Sequence, residues 1–194
     1  MKFPQHILLL FLTIVLISCK DEKSVTPTNM VFEMPPYTDT GANVLAYKAN
    51  GVVYRSFDYS GLSDGVEAAR YRDVDHSEKG FILYIEGKSI EKNIYHSVKI
   101  TIQNVVDTGR YFLNKWTSPN ENEGVFKVGK NESVFTFYKT LEVQAGYVDI
   151  TKLDTVNKIV AGRFSFVARF DDFGTPSIDS FTITNGQFDL IYYQ

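Results

Sequence analysis

Lys158-Ile159-Val160-Ala161-Gly162-Arg163-Phe164-Ser165-Phe166-Val167-Ala168-Arg169-Phe170 decides the fold class. Phe164, Phe166, Ala168 and Phe170 recur at every second position, with Ser165 and Arg169 opposite. That period places one face of a strand on a core and the other in water. Outward from this stretch the pattern returns. Val98, Ile100 and Ile102 alternate with Lys99, Thr101 and Gln103, and Phe81, Leu83 and Ile85 with Ile82, Tyr84 and Glu86. Val148 and Ile150 share a face, as do Phe135 and Phe137. Shorter candidate strands are Asn43 to Tyr47, Val52 to Phe57, Gly65 to Val74, Tyr111 to Leu113, Val125 to Val128, Phe181 to Thr184 and Gln187 to Tyr192. Asn50-Gly51 and Asn185-Gly186 are each expected to close a tight hairpin, because both residue types tolerate positive φ.

No long stretch shows a capped helical stripe, so crossover helices for a parallel sheet are lacking. The expectation is an all-β, antiparallel domain of roughly nine to eleven short strands. Either a two-sheet sandwich or a curled, partly open barrel satisfies the alternation.

The chain has 194 residues, a net charge of −3, 14% aromatics and a single cysteine. It is long enough for one substantial core. One cysteine excludes an intramolecular disulfide framework and cysteine-rich metal sites. The slight acidity argues against non-specific nucleic-acid binding.

Ile7 to Ile17 is an apolar run of eleven residues broken only by Thr13. It is too short to span a bilayer, which takes about 20 residues, and suits the core of a signal peptide. Leu16-Ile17-Ser18-Cys19 follows, then the polar Lys20-Asp21-Glu22-Lys23-Ser24. Leu16 to Cys19 resembles a bacterial lipoprotein box, in which cleavage before the cysteine leaves it as a lipid-bearing N-terminus. The resemblance implies residues 1–18 as signal peptide and Cys19 as the lipidation site, palmitate included. Several acyl chains on one residue anchor firmly where one does not. An uncleaved signal or a simple apolar anchor is the alternative. Lys20-Asp21-Glu22 resembles the surface-export signal of Bacteroidetes lipoproteins, which implies an outer-membrane, cell-surface location; an ordinary acidic spacer reads the same way. Residues 19–40, with Pro27, Pro35 and Pro36, read as a flexible tether, and residues 41–194 as the all-β domain.

Gly146-Tyr147-Val148-Asp149-Ile150-Thr151-Lys152-Leu153-Asp154, then Ile159 to Phe166, then Ile183-Thr184-Asn185-Gly186-Gln187-Phe188-Asp189 carry a further resemblance. They are similar to a Bacteroidetes family of small secreted or lipid-anchored all-β domains of unknown function. Its blocks read G-x-V-x-I-T-K-x-D, I-V-S-G-x-F-x-F and I-T-x-G-x-F-D. Here Ala161 stands where the family has a small polar residue. The resemblance implies an all-β fold and an envelope location, and brings no active site. The motif residues also have structural readings. Asp154 opens a turn, and Gly162 marks a bulge or a close backbone approach. Asp189 stands on a solvent face or bonds to a neighbouring loop.

Chemistry-bearing patterns are weak. His76 and His96 are the two histidines beyond the signal, and no G-x-S-x-G elbow is present; Gly61 to Gly65 lacks its spacing. Asp73, Asp75, His76 and Glu78 form the densest group of metal-ligand types, but read as a polar turn. Asp171-Asp172 and Glu121-Asn122-Glu123 do not follow a calcium-loop pattern. The reading is therefore no enzyme, no cofactor and no metal site. Trp116 is the candidate ligand contact, as an exposed platform for a sugar, with capping of the core as the alternative. The expected function is a lipid-anchored envelope protein that binds or presents a glycan or a protein partner, attached to the membrane through its lipid and with no role for nucleic acid. A lipocalin-like small-molecule carrier is the alternative, and a hydrolase a more distant one.

Overall fold

Asn50 and Gly51 lie at φ 48° and 84°, the mirror-image geometry of a type I′ turn. They join β1 (Val44–Ala49) to β2 (Val52–Phe57), with Ala49 facing Val52. The computed structural model describes residues 33–57, 66–72, 80–91, 94–114, 121–131, 133–172 and 175–192, of which 57, 66–72, 90–91, 171–172 and 175–178 as backbone alone. The remaining strands are β3 (Val66–Arg72), β4 (Phe81–Glu91), β5 (Ile94–Val105), β6 (Gly109–Leu113), β7 (Glu123–Asn131), β8 (Val134–Lys139), β9 (Gly146–Asp154), β10 (Ile159–Asp172) and β11 (Thr175–Ile191). All pairings are antiparallel, and the described residues contain no helix.

The stretch that decided the fold class becomes β10, and β10 organises the sheet. One edge pairs with β11 along its length. The other edge is divided: Ile159 to Phe166 pair with β9, whereas Arg169 and Phe170 pair with β8. The register with β11 shifts between Phe164 and Phe166 and again between Arg169 and Asp171. Such bulges bend a strand and increase its twist. The sheet therefore forms two wings sharing β10. One runs β2-β1-β11-β10-β9-β6 and the other β10-β8-β7-β5-β4-β3. The wings fold over one another: the Tyr47 ring of β1 lies 6.2 Å from that of Phe126 on β7. β4 crosses β1 so closely that a Cβ on Gly87 would come within 2.8 Å of Leu45 Cδ2. The strand path begins at β2 and ends at β3 without pairing the two, so the curled sheet is not closed.

The core is the enclosed face. Phe164, Phe166 and Ala168 are buried as the alternation requires, with Val148, Ile150, Leu83, Ile85, Val98, Ile100 and Ile102. Each large apolar side chain so buried stabilises the fold by about 1.5–3 kcal/mol before entropy is charged. Rings dominate the interior: Phe126 and Phe181 are 4.7 Å apart, Tyr138 and Phe181 4.8 Å, Phe164 and Phe188 6.4 Å.

Asn185-Gly186 is not a hairpin. β11 runs through it without a break. Only Asn185 has positive φ, 52°, whereas a type I′ turn needs both central residues there. Thr184 and Asn185 together oppose Ser165, forming a bulge, and the Ser165 hydroxyl donates to the Ile183 carbonyl at 2.9 Å. Gly186 is demanded by packing: a Cβ there would fall 2.5 Å from the Phe164 ring.

Pro35 to Asn43, expected to end the tether and begin the domain, lie on β9, β10 and β11. Gln187 Nε2 donates to the Pro35 carbonyl at 2.7 Å, and Lys152 Nζ to that of Asp39 at 2.8 Å. The Tyr37 and Thr151 hydroxyls share a hydrogen bond, and the Arg163 guanidinium sits 4.9 Å from the centre of the Tyr37 ring. Asn43 Oδ1 accepts the Ile191 N–H at 2.9 Å. These contacts fall within the compact unit that begins at Phe32.

Candidate functional site

Cys19, Trp116, Gly61 to Gly65 and the Asp73, Asp75, His76, Glu78 group lie outside the described residues. Among the described residues, no group of three His, Cys, Asp or Glu side chains is placed to hold a metal ion. Asn122 of the Glu121-Asn122-Glu123 run is committed to the fold. Its Oδ1 accepts the Gln103 N–H at 2.7 Å, and its Nδ2 donates to the Phe112 carbonyl at 3.0 Å. Asp189 bonds to a neighbouring segment: its carboxylate accepts the backbone N–H groups of Thr40, Gly41 and Ala42. Burial alone would raise its pKa, but the Thr38 hydroxyl and those three N–H groups hold it below the usual carboxylate range.

The remaining motif positions are structural. Asp154 Oδ1 accepts the Val156 and Asn157 N–H groups at 3.0 and 2.8 Å, closing the turn expected there. Gly162 combines both expected roles. The register of β9 shifts beside it, and a Cβ there would lie 2.2 Å from the Asp149 carbonyl oxygen. Tyr192 is buried beneath that turn and donates weakly to the Asp154 carbonyl at 3.4 Å.

His96 is buried against the Tyr54 and Phe126 rings, at centroid distances of 4.4 and 6.3 Å. Its Nδ1 has no hydrogen-bond partner. Burial pushes its pKa down to about 4, so the ring is neutral at pH 7.

The outer face of the second wing is chemically distinct. Cross-strand register lines its residues into rows over β4, β5, β7 and β8. One row reads Glu86–Lys99–Val125–Lys139, and the next Lys88–Ser97–Lys127–Phe137. Tyr84–Thr101–Glu123 borders the first row, and Tyr95–Gly129–Phe135 the second. Phe135 and Phe137 are 37% and 46% exposed, although their alternation matches that of core strands. Each of three lysines approaches a ring: Lys127 lies 5.2 Å from Phe135, Lys139 6.0 Å from Phe137, and Lys99 5.6 Å from Tyr84. Beneath them Ser97 is fully buried and donates to Glu86 at 3.2 Å. Burial raises the Glu123 carboxyl pKa, while Lys99, the Thr101 hydroxyl and Lys139 oppose the shift.

Sequence alone paired Phe135 with Phe137 but carried no signal that they face outward. Of these lysines, the sequence set only Lys99 on the wet side of a strand; the cross-strand register places Lys88, Lys127 and Lys139 on the same face. Comparison with protein-family models, with curated proteins and with solved structures returns no match to this chain.

Proposed function

We propose that the chain is a non-catalytic, lipid-anchored protein of the outer membrane, displayed at the cell surface, that binds a glycan or protein partner. The observation that carries the binding role is the outward pair Phe135 and Phe137, beside an interior already occupied by mutually touching rings. Exposed apolar side chains bordered by polar ones are characteristic of interaction surfaces. An interior filled by its own aromatics supports surface recognition over enclosure of a small molecule. The lipoprotein box at Leu16 to Cys19, the acidic Lys20-Asp21-Glu22 and the similarity to envelope domains support the location.

Metabolic labelling with palmitate tests the anchor. Wild-type protein takes up label and sediments with membranes, and Cys19→Ala loses both. Label retained by Cys19→Ala overturns lipidation. Protease treatment of intact cells tests display: degradation before lysis is expected, and survival until lysis overturns surface exposure when the lysed sample is cut. A photo-crosslinker in place of Phe137 tests the face. Adducts specific to that position are expected on living cells. The same adducts from the exposed Val156 position overturn the face assignment.

A further inference from the structure

We infer that Asn50 is a site of spontaneous conversion to aspartate and isoaspartate through attack by the Gly51 nitrogen, and that the fold protects Asn185 from the same reaction. The inference is independent of the proposed location and partner. The chain contains two Asn-Gly pairs. Attack is least hindered when glycine follows, because no side chain stands beside the attacking nitrogen. In the reaction the Gly51 backbone nitrogen bonds to Asn50 Cγ and closes a five-membered succinimide. The Cγ–Nδ2 bond breaks, and Nδ2 leaves as ammonia with the proton lost from the Gly51 nitrogen. Water then opens the ring. Opening at Cγ restores the ordinary backbone and leaves aspartate. Opening at the main-chain carbonyl leaves isoaspartate, whose backbone runs through Cβ and Cγ and is one carbon longer.

The structure separates the two pairs. Asn50 and Gly51 are both exposed at the tip of the β1–β2 hairpin. The ladder closes on Ala49 and Val52, which leaves the Gly51 N–H outside it and open to a solvent base. Nothing lies within 4 Å of where a Gly51 Cβ would stand, so the peptide has room to swing toward Cγ. The Thr182 N–H donates to Asn50 Oδ1 at 2.9 Å. Attack at Cγ drives negative charge onto that oxygen, where a donor already in place stabilises it. Among the described residues, the departing Nδ2 has one bond, a long one of 3.4 Å to the Ser180 carbonyl. Asn185 is also exposed, but Gly186 is buried within β11, flanked by β10 and β1. Swinging that peptide would disturb both ladders and press on the Phe164 ring, 2.5 Å from the Gly186 Cβ position.

The product alters the hairpin. A carboxylate oxygen in place of Nδ2 faces the Ser180 carbonyl, and isoaspartate lengthens a loop whose turn type requires two residues. β2 ends the strand path and is paired to β1, and its Tyr54 ring lies 4.4 Å from His96. Conversion therefore loosens β2 ahead of the core.

Ageing of the full-length protein in neutral detergent and heavy-oxygen water, followed by peptide mass spectrometry, provides the test. Ring opening places the heavy oxygen in the product, which marks conversion that occurred before digestion. In the folded protein, label at Asn50 should build up at least about tenfold faster than at Asn185, with aspartate and isoaspartate both present. In guanidinium chloride the two sites should react at similar rates, because the local Asn-Gly sequence is the same. Gly51→Ala should slow the reaction at Asn50 about tenfold or more. Amide exchange in the aged protein should quicken across Val52 to Phe57 and stay unchanged at Ile100 and Ile102. Equal labelling of the two sites in the folded protein, or none at Asn50 while the unfolded chain is labelled, overturns the inference. A contrast that persists in guanidinium chloride overturns protection by the fold. An Asn50 rate unchanged in Gly51→Ala overturns attack by the neighbouring nitrogen, and unchanged exchange in β2 overturns the loosening of the hairpin.

Discussion

The backbone N–H of Gly41 donates to Asp189 Oδ1 at 2.6 Å, joining positions 148 residues apart. Thr40 and Ala42 donate to Oδ2 of the same carboxylate, so one buried side chain on β11 clamps the start of the folded region. Gly41 lies at φ +82°, and a Cβ there would meet Ile191 at 2.9 Å. The clamp thus depends on glycine for both conformation and space.

Asp189→Ala should cost about 2–3 kcal/mol, because it removes charge-assisted hydrogen bonds and strands three N–H groups. Urea denaturation measures the loss. Amide exchange at Thr40, Gly41 and Ala42 should accelerate more than exchange at Ile100 or Ile102 in the core. Uniform acceleration across all five would show that the carboxylate supports the whole fold instead of the clamp.

Acid should weaken the protein in two stages. The folded state holds His96 neutral down to about pH 4, whereas the unfolded chain takes up that proton near pH 6.5. The unfolded state binds more protons in this interval, so stability falls as pH drops from about 6.5 to about 4. Asp189, with its folded pKa depressed, contributes fully above the ordinary carboxylate range and loses that contribution below it. His96→Phe should flatten the first stage and leave the second. Because Nδ1 has no partner to lose, this variant should be at least as stable as wild type at pH 7. A first stage that survives the substitution would assign it to another group.

Two phenylalanines with the same local pattern should respond oppositely. Phe166→Ala should cost about 3–5 kcal/mol, as it empties a fully packed site. Phe137→Ala, on the exposed face, should cost no more than about 1 kcal/mol. Thermal denaturation of the two variants measures the contrast; equal losses would place Phe137 in the core.

Two glycines following asparagine should fail for different reasons. Gly51 has open space around its Cβ position but lies at φ +84°, so Gly51→Ala should cost about 1 kcal/mol through backbone conformation alone. Gly186 has no such dihedral but lies against the Phe164 ring, so Gly186→Ala should cost about 1–3 kcal/mol through overpacking. Phe164→Leu should rescue part of the second loss and none of the first, as a double-mutant cycle reports.

The Asn-Gly pairs show how far local reading reaches. Both offer a residue that tolerates positive φ, and that property serves a hairpin turn and a bulge equally. At Asn50 the following strand returns against β1. At Asn185, β10 and β1 already flank both sides, so the chain continues and absorbs an extra residue. Asp189 was legible as a polar residue on a strand, but its partners lie 147 to 149 positions away and no local pattern names them.

The sequence by itself determined the strand character and which residues share each strand face, because side chains alternate with a period of two wherever a strand forms. It also carries the lipoprotein-like N-terminus on which the proposed location depends. Only the tertiary structure decided which face turns inward. That choice depends on which strands pair and on where β10 bends, both set by contacts distant in sequence. The same step placed Phe164 in the core and Phe137 in water, and brought four separate lysines onto one face.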